Sequence, residues 1–172
     1  MNVKRAEKPV RLYIFDADGT LRRTTVEGLP CPNEPGQWEL VPGVRERLSQ
    51  IEWGGGGASF GVATNQGGVG LGYLTFETAH ALLVEMVQQA FGVPPPAGSI
   101  EICPHAPHRG CGCRKPRPGM LLNLMRRFKA TRAETLFVGD MDRDEEAARR
   151  AGVRFSWAHE FFGWPERDAH LF

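Results

Sequence analysis

Two stretches of this 172-residue chain carry residue types at spacings that can do chemistry. In FDADGTL, Asp16 and Asp18 stand two positions apart after an apolar run, and Gly19 permits a tight turn behind them. With Asp140, from the later FVGD, they make a set of oxygen ligands suited to Mg²⁺, a hard cation that keeps several of its waters. Without a cation such carboxylates repel one another, and one must hold its proton. The second stretch is CPHAPHRGCGCRKPRPGM, residues 103–120. Cys103, His105, Cys111 and Cys113 supply three thiols and an imidazole, a complete tetrahedral set for structural Zn²⁺, with His108 as the alternative imidazole. The cluster contains no Cys-x-x-Cys, which argues for metal binding over thiol exchange. Cys31, in LPCPNEPG, stands apart and reads as an incidental free thiol.

The elements that must carry these residues follow from periodicity. VRLYIFD (10–16), ASFGVATN (58–65), SIEIC (99–103), ETLFVGD (134–140) and VRFSW (153–157) are short apolar runs that read as strands. PGVRERLSQIEW (42–53), TFETAHALLVEMVQQAFG (75–92), PGMLLNLMRRFK (118–129) and DEEAARRAG (144–152) show helical spacing, Pro at two starts and Gly at two ends. Strands alternating with helices predict a doubly wound α/β fold with a parallel sheet. Ligands of such sheets bind beyond the carboxyl ends of the strands. Asp16 and Asp18, Thr64 and Asn65, Cys103, and Asp140 all follow strand ends, and that convergence is the main argument for an enzyme.

Composition narrows the setting. Lys and Arg total 21 against 20 acids, a net charge of +1, so any electrostatic selectivity must be local. The length fits one domain over 1–172, with the zinc loop 103–113 inserted and no room for a large cap. No apolar run is long enough to span a bilayer, and MNVKRAEKPVR lacks the apolar stretch of a signal peptide. A cytoplasmic protein is expected, monomeric or a weak dimer. The aromatic C-terminal FSWAHEFFGWPERDAHLF is expected to pack on the core or at a dimer contact.

Phe-Asp-x-Asp-Gly-Thr-Leu, the strand ending in Thr64, Lys115 before a helix, and Gly139-Asp140 with Asp144 downstream resemble the ordered motifs of the haloacid dehalogenase-like phosphohydrolases. The resemblance runs from about Val10 to Gly152. It implies a Mg²⁺-dependent phosphomonoester hydrolase working through an aspartyl-phosphate. In that reading Asp16 is the nucleophile and Asp18 the general acid and base. Thr64 would hold phosphoryl oxygens with Asn65 beside it, and Lys115 would offset charge. Mg²⁺ would be held by Asp16, the Asp18 carbonyl and Asp140, with Asp144 behind; Asp142 is the alternative to Asp144.

CPHxP…CxCRKPxPGM, TNQGG and LVPGV further resemble the zinc-loop branch (subfamily IIIA) of D-glycero-D-manno-heptose 1,7-bisphosphate 7-phosphatases and histidinol-phosphate phosphatases. There the zinc is structural and the Arg-Lys pair after it works at the active site. The implied substrate is a small phosphorylated metabolite, a sugar bisphosphate or histidinol phosphate. Arg114, with Arg22 or Arg23, is expected on its distal anion. Ala17 departs from the Asp-Arg-Asp-Gly usual in the branch, and residues 21–40 match neither type and are expected to roof the pocket. An alternative is a polynucleotide 3′-phosphatase with the same chemistry, drawing on Arg22, Arg23, Arg114, Arg117 and Arg143; no aromatic-interleaved basic stripe supports it. A non-catalytic zinc-stabilised binding module would leave Asp16, Asp18, Lys115 and Asp140 idle.

Overall fold

Leu12 and Ile14 face one side of a strand and Tyr13 and Phe15 the other, and this alternation divides the core into two layers. The structure is a computed structural model and describes residues 7–165. Its elements are β1 (Leu12–Phe15), β2 (Arg22–Thr24), β3 (Trp38–Leu40), α1 (Val44–Leu48), β4 (Ser59–Asn65), α2 (Gly67–Gly70) and α3 (Phe76–Phe91). They continue with β5 (Ile100–Cys103), α4 (Gly119–Phe128), β6 (Thr135–Gly139), α5 (Asp142–Ala151), β7 (Arg154–Trp157) and α6 (Ala158–Phe162).

Five strands form one parallel sheet in the order β5-β4-β1-β6-β7. The chain leaves β1 on one side for β4 and β5, and on the other for β6 and β7. That reversal opens a crevice at the carboxyl end of β1. One layer packs Phe15, Phe60, Val62 and Val138 under α1, α3 and α6; the other packs Leu12, Ile14 and Phe137 under α4 and α5. Helix α3 shows why the pattern folds this way. Thr75 caps it by accepting the Thr78 N–H at 3.1 Å, its buried residues Ala79, Leu82, Leu83, Met86, Val87 and Ala90 form one stripe, and Gly92 ends it. Each large apolar side chain so buried contributes about 1.5–3 kcal/mol.

Helix α1 is shorter than its spacing predicts. The Trp53 indole donates to the Leu48 carbonyl at 2.9 Å, capping the helix end while residues 49–53 turn back. Residues 21–40 contain the antiparallel hairpin β2–β3, which short, aperiodic strands left unread. Of the aromatic C-terminus, Phe161 meets Tyr13 and Phe15 edge-on and Phe162 stacks on Trp164, so these residues pack on the core. Its last residues, 166–172, lie outside the described residues.

Candidate active site

The turn after β1 folds back on itself: the Leu21 and Arg22 N–H groups donate to the Ala17 carbonyl, and the Gly19 N–H donates to Arg22. Gly19 sits at φ +85°, and a Cβ there would collide with the Asp140 carboxylate, so only glycine lets the β1 and β6 ends approach. Asp16 is 5% exposed, and Thr20 Oγ1 donates to Asp140 Oδ1 at 3.2 Å. Asp144 Oδ2 accepts the N–H groups of Asp140 and Met141, fixing the start of α5. Ligand oxygens of Asp16, Asp140 and Asp144 lie within 4.8 Å of one another. Of the two candidates on α5, Asp144 joins this cluster, whereas Asp142 is exposed.

Lys115 enters from the far side of the sheet edge. Its Nζ lies 2.6 Å from Asp16 Oδ1 and 2.7 Å from Asp144 Oδ1, and the residue is 2% exposed. Burial opposes its charge, but Asp144 and Asp16 hold its pKa above the usual lysine value. Three acids against one ammonium leave two negative charges in a buried space. Burial, with Asp144 and Asp140 adding to it, accordingly pushes the Asp16 carboxyl well up, against the pull of Lys115; burial and Asp144 push Asp140 up too. The donor set and the residual charge both fit one Mg²⁺, held through Asp16 and Asp140.

The Asn65 side chain holds the Lys115 backbone and also borders the cavity beside Asp18. Its Oδ1 accepts the Lys115 N–H at 3.0 Å and its Nδ2 donates to the Lys115 carbonyl at 3.1 Å. Thr64 Oγ1 accepts from Gln66 Nε2 at 2.9 Å, which leaves the hydroxyl proton to donate onward. Gln66 Nε2 also donates to Asp18 Oδ2 at 2.8 Å. The expectation that Arg22 meets a distal anion is corrected here. Arg22 is fully buried and its Nε donates to Asp18 Oδ1 at 2.8 Å. Arg23 pairs with Glu39 at the surface of the hairpin.

The four zinc-loop residues converge. Cys103 Sγ is 3.6 Å from Cys111 Sγ, and His105 Nδ1 lies 3.5 Å from Cys103 Sγ and 3.2 Å from Cys113 Sγ. Zn–S bonds of about 2.3 Å would place tetrahedral sulfurs about 3.8 Å apart, so the set fits Zn²⁺ with little adjustment. His108 is exposed and outside the cluster. Burial and the thiols of Cys103 and Cys111 push Cys113 up to about 12; burial also raises Cys111, but hydrogen bonds from the Arg114 backbone and the other thiols bring it down to about 6. Three such thiols ionise together only around a cation. Helix α2 seats the loop: the Gly70 N–H donates to the Pro104 carbonyl at 2.8 Å, and a Cβ on Gly70 would meet that carbonyl and the Ala106 N. Arg114 Nη1 donates to the His105 carbonyl at 3.2 Å, so the zinc-loop fold sets where this guanidinium lies.

Two cavities open beside Asp18. One, of about 270 Å³, is bounded by Leu29, Cys31, Tyr73, Arg114 and Arg143. The other, of about 410 Å³, is bounded by Arg23, Thr24, Asp140 and Arg143. The 21–40 segment roofs both through Leu29 and Pro30, as expected. Cys31 thus stands in the wall of the first cavity. Arg143, one of the five arginines expected around the pocket mouth, borders both.

Comparison with known proteins gives a consistent picture. A profile described as haloacid dehalogenase-like hydrolase matches residues 110–158. The D-glycero-beta-D-manno-heptose-1,7-bisphosphate 7-phosphatase of Pseudomonas aeruginosa is 38% identical over 144 residues, 80% of this chain and 75% of that protein. The protein of the same name from Pseudomonas putida is 34% identical over 148 residues, 84% of this chain and 80% of that one. The crystal structure of D,D-heptose 1,7-bisphosphate phosphatase from B. bronchiseptica, complexed with magnesium and phosphate, superposes with a TM-score of 0.69 at 33% identity. It covers 85% of this chain and 79% of its own.

Proposed function

Because this chain belongs to the haloacid dehalogenase-like hydrolases and is a phosphatase, we propose that it removes one phosphate from a small sugar bisphosphate of the heptose bisphosphate kind. The observation that carries this reading is the buried Asp16–Lys115–Asp144 cluster, with Asp18 and Thr64 at its rim. Asp16 attacks phosphorus and the bond to the sugar oxygen breaks, giving an aspartyl-phosphate. Asp18 gives its proton to the departing oxygen, then takes one from the water that attacks phosphorus and frees Asp16. Thr64 donates its hydroxyl proton to a phosphoryl oxygen, while Lys115 offsets negative charge at Asp16. Asp16, the Asp18 carbonyl and Asp140 would hold Mg²⁺, whose charge stabilises the phosphoryl oxygens when bound. Release of phosphate from p-nitrophenyl phosphate that depends on added Mg²⁺ tests the chemistry; inactivity across sugar phosphates, histidinol phosphate and oligonucleotides would sink it.

Arg114 and Arg143 flank the 270 Å³ cavity, and they favour a substrate with a second anion. A charge-assisted hydrogen bond is worth about 1.5–3 kcal/mol, or roughly tenfold and upward in affinity. A bisphosphorylated sugar should therefore show a kcat/KM at least about tenfold above its monophosphate, and Arg114→Ala should erase most of that gap. Faster hydrolysis of a 3′-phosphorylated oligonucleotide than of any sugar phosphate would instead favour the polynucleotide reading.

Cys103, His105, Cys111 and Cys113 would hold Zn²⁺ in a structural role. Zinc contributes on the order of 10–16 kcal/mol to the folding of small zinc-finger peptides, and a domain with two core layers should depend on it less. Cys111→Ser should lower zinc content and raise KM through displacement of Arg114, with a smaller change in kcat. Elemental analysis of protein purified without chelator checks this, and finding no zinc overturns it.

A further inference from the structure

Arg22 heads the largest side chains that are fully buried among the described residues, and its charge faces one partner, Asp18. Nε donates to Asp18 Oδ1 at 2.8 Å and Nη2 to Oδ2 at 3.3 Å, while Nη1 is buried with no hydrogen-bond partner. Replacing a buried ion pair by apolar side chains is often neutral or stabilising, so fold stability alone gives no reason for a guanidinium here. Its backbone is equally constrained. The Arg22 N–H donates to Ala17 at 3.1 Å and its carbonyl accepts from Gly19 at 2.8 Å, which closes the turn around Asp18.

Gln66 completes the arrangement. It is 1% exposed, and the two hydrogens of its Nε2 serve Asp18 Oδ2 at 2.8 Å and Thr64 Oγ1 at 2.9 Å. The amide orientation is thereby fixed, because a carbonyl oxygen in that place could not donate to a carboxylate. Three of the roughly four acceptor positions on the Asp18 carboxylate are then filled, and the remaining one is on Oδ1. Asp18 keeps a side-chain exposure of 17% and borders both cavities.

We propose that Arg22 and Gln66 are positioning residues for Asp18, locking its carboxylate so that one Oδ1 position exchanges the proton with the leaving oxygen and the attacking water. The proposal rests on the reading of Asp18 as acid and base. Gln66 ties that carboxylate to Thr64, so the proton-transfer group and the phosphoryl-holding hydroxyl move as one unit. Arg22 begins β2, and so ties the same carboxylate to the root of the roofing hairpin.

The test compares p-nitrophenyl phosphate, whose phenolate leaves without a proton, with a sugar monophosphate, whose alkoxide needs one. Arg22→Met should lower kcat/KM for the sugar phosphate about 10–100-fold and for p-nitrophenyl phosphate less than about threefold, because kcat/KM ends at the aspartyl-phosphate and excludes the water step that both substrates share. Gln66→Met, which leaves the buried ion pair intact, should shift the same ratio in the same direction and serves if Arg22→Met does not fold. In Asp18→Asn/Arg22→Met the second change should add less than about twofold to the loss from Asp18→Asn alone. Equal losses in kcat/KM on both substrates, or additive losses in the double variant, overturn the positioning role while the acid–base reading stands. Unchanged sugar phosphate turnover in Asp18→Asn removes both.

Discussion

Asp16→Asn is expected to abolish turnover, by more than about 10⁴-fold, and to leave the protein folded and at least as stable as the parent. The loss follows from removing the attacking oxygen with almost no change in volume. The stability gain follows from the charge around it. Asp16 shares a buried space with Asp140 and Asp144, and burial with their charges raises its pKa well above the ordinary 3.8. A carboxyl raised on folding binds more protons in the native state than in the unfolded one. Its burden is absent at low pH and grows as pH rises above the ordinary carboxylate value. In chelator, the melting temperature of Asp16→Asn should therefore exceed that of the parent at neutral pH, and the gap should close towards pH 4 or so. Mg²⁺ should raise the parent's melting temperature more than the variant's, since one ligand charge is gone. Thermal scans across pH with and without EDTA, beside a phosphate-release assay, measure all of this. Wild-type turnover in Asp16→Asn would falsify the mechanism.

How much of this was legible beforehand depends on the range of the signal. Strands β1, β4 and β6 are largely buried on both faces and edge strand β5 is half-buried, so each reads as an apolar run, and the polar residue that ends the run marks the sheet edge. Asp16, Thr64, Cys103 and Asp140 were readable for that reason. Helix α2 was not, because GGVG has the weakest helix propensity; contact with the Pro104 carbonyl of the zinc loop holds it. Asn65 ends its strand at the site, but the clamp of its amide on the Lys115 backbone fifty positions away is a contact that no local pattern encodes. Arg22 misled for a related reason. An arginine in a loop-like segment reads as surface charge, and only the closed turn of residues 17–22 shows it folding inward onto Asp18. The residue types were informative about chemistry; the partners were set by the crossover topology.

The same topology makes Lys115 the residue whose loss should cost both stability and rate. It arrives on the loop between the Cys103–His105–Cys111–Cys113 cluster and α4, is clamped by Asn65 from β4, and inserts between Asp16 at β1 and Asp144 on α5. Its Nζ also lies 5.3 Å from the Phe137 ring centroid. Lys115→Met keeps the length of the side chain and removes the ammonium from a cluster of three acids, of which Asp16 and Asp144 are buried. Breaking a buried pair by removing one partner typically costs about 3–5 kcal/mol, because the remaining charge is stranded. The raised lysine pKa means that the pair's contribution is complete below the ordinary 10.5 and is lost only above it, so the deficit in Lys115→Met should be full at neutral pH. It should shrink on acidification, as the stranded carboxyls take up protons. Mg²⁺ should recover part of the stability by restoring positive charge to the cluster, but not the turnover, because among the described residues no other cationic side chain pairs with Asp16. Lys115→Met/Asp144→Leu, which removes the stranded acid as well, should regain stability over Lys115→Met while remaining inactive. Urea titrations in chelator and in Mg²⁺ separate these contributions. A single variant as stable as the parent in chelator at neutral pH would show that the three acids already share protons among themselves, and that Lys115 is not what holds them together.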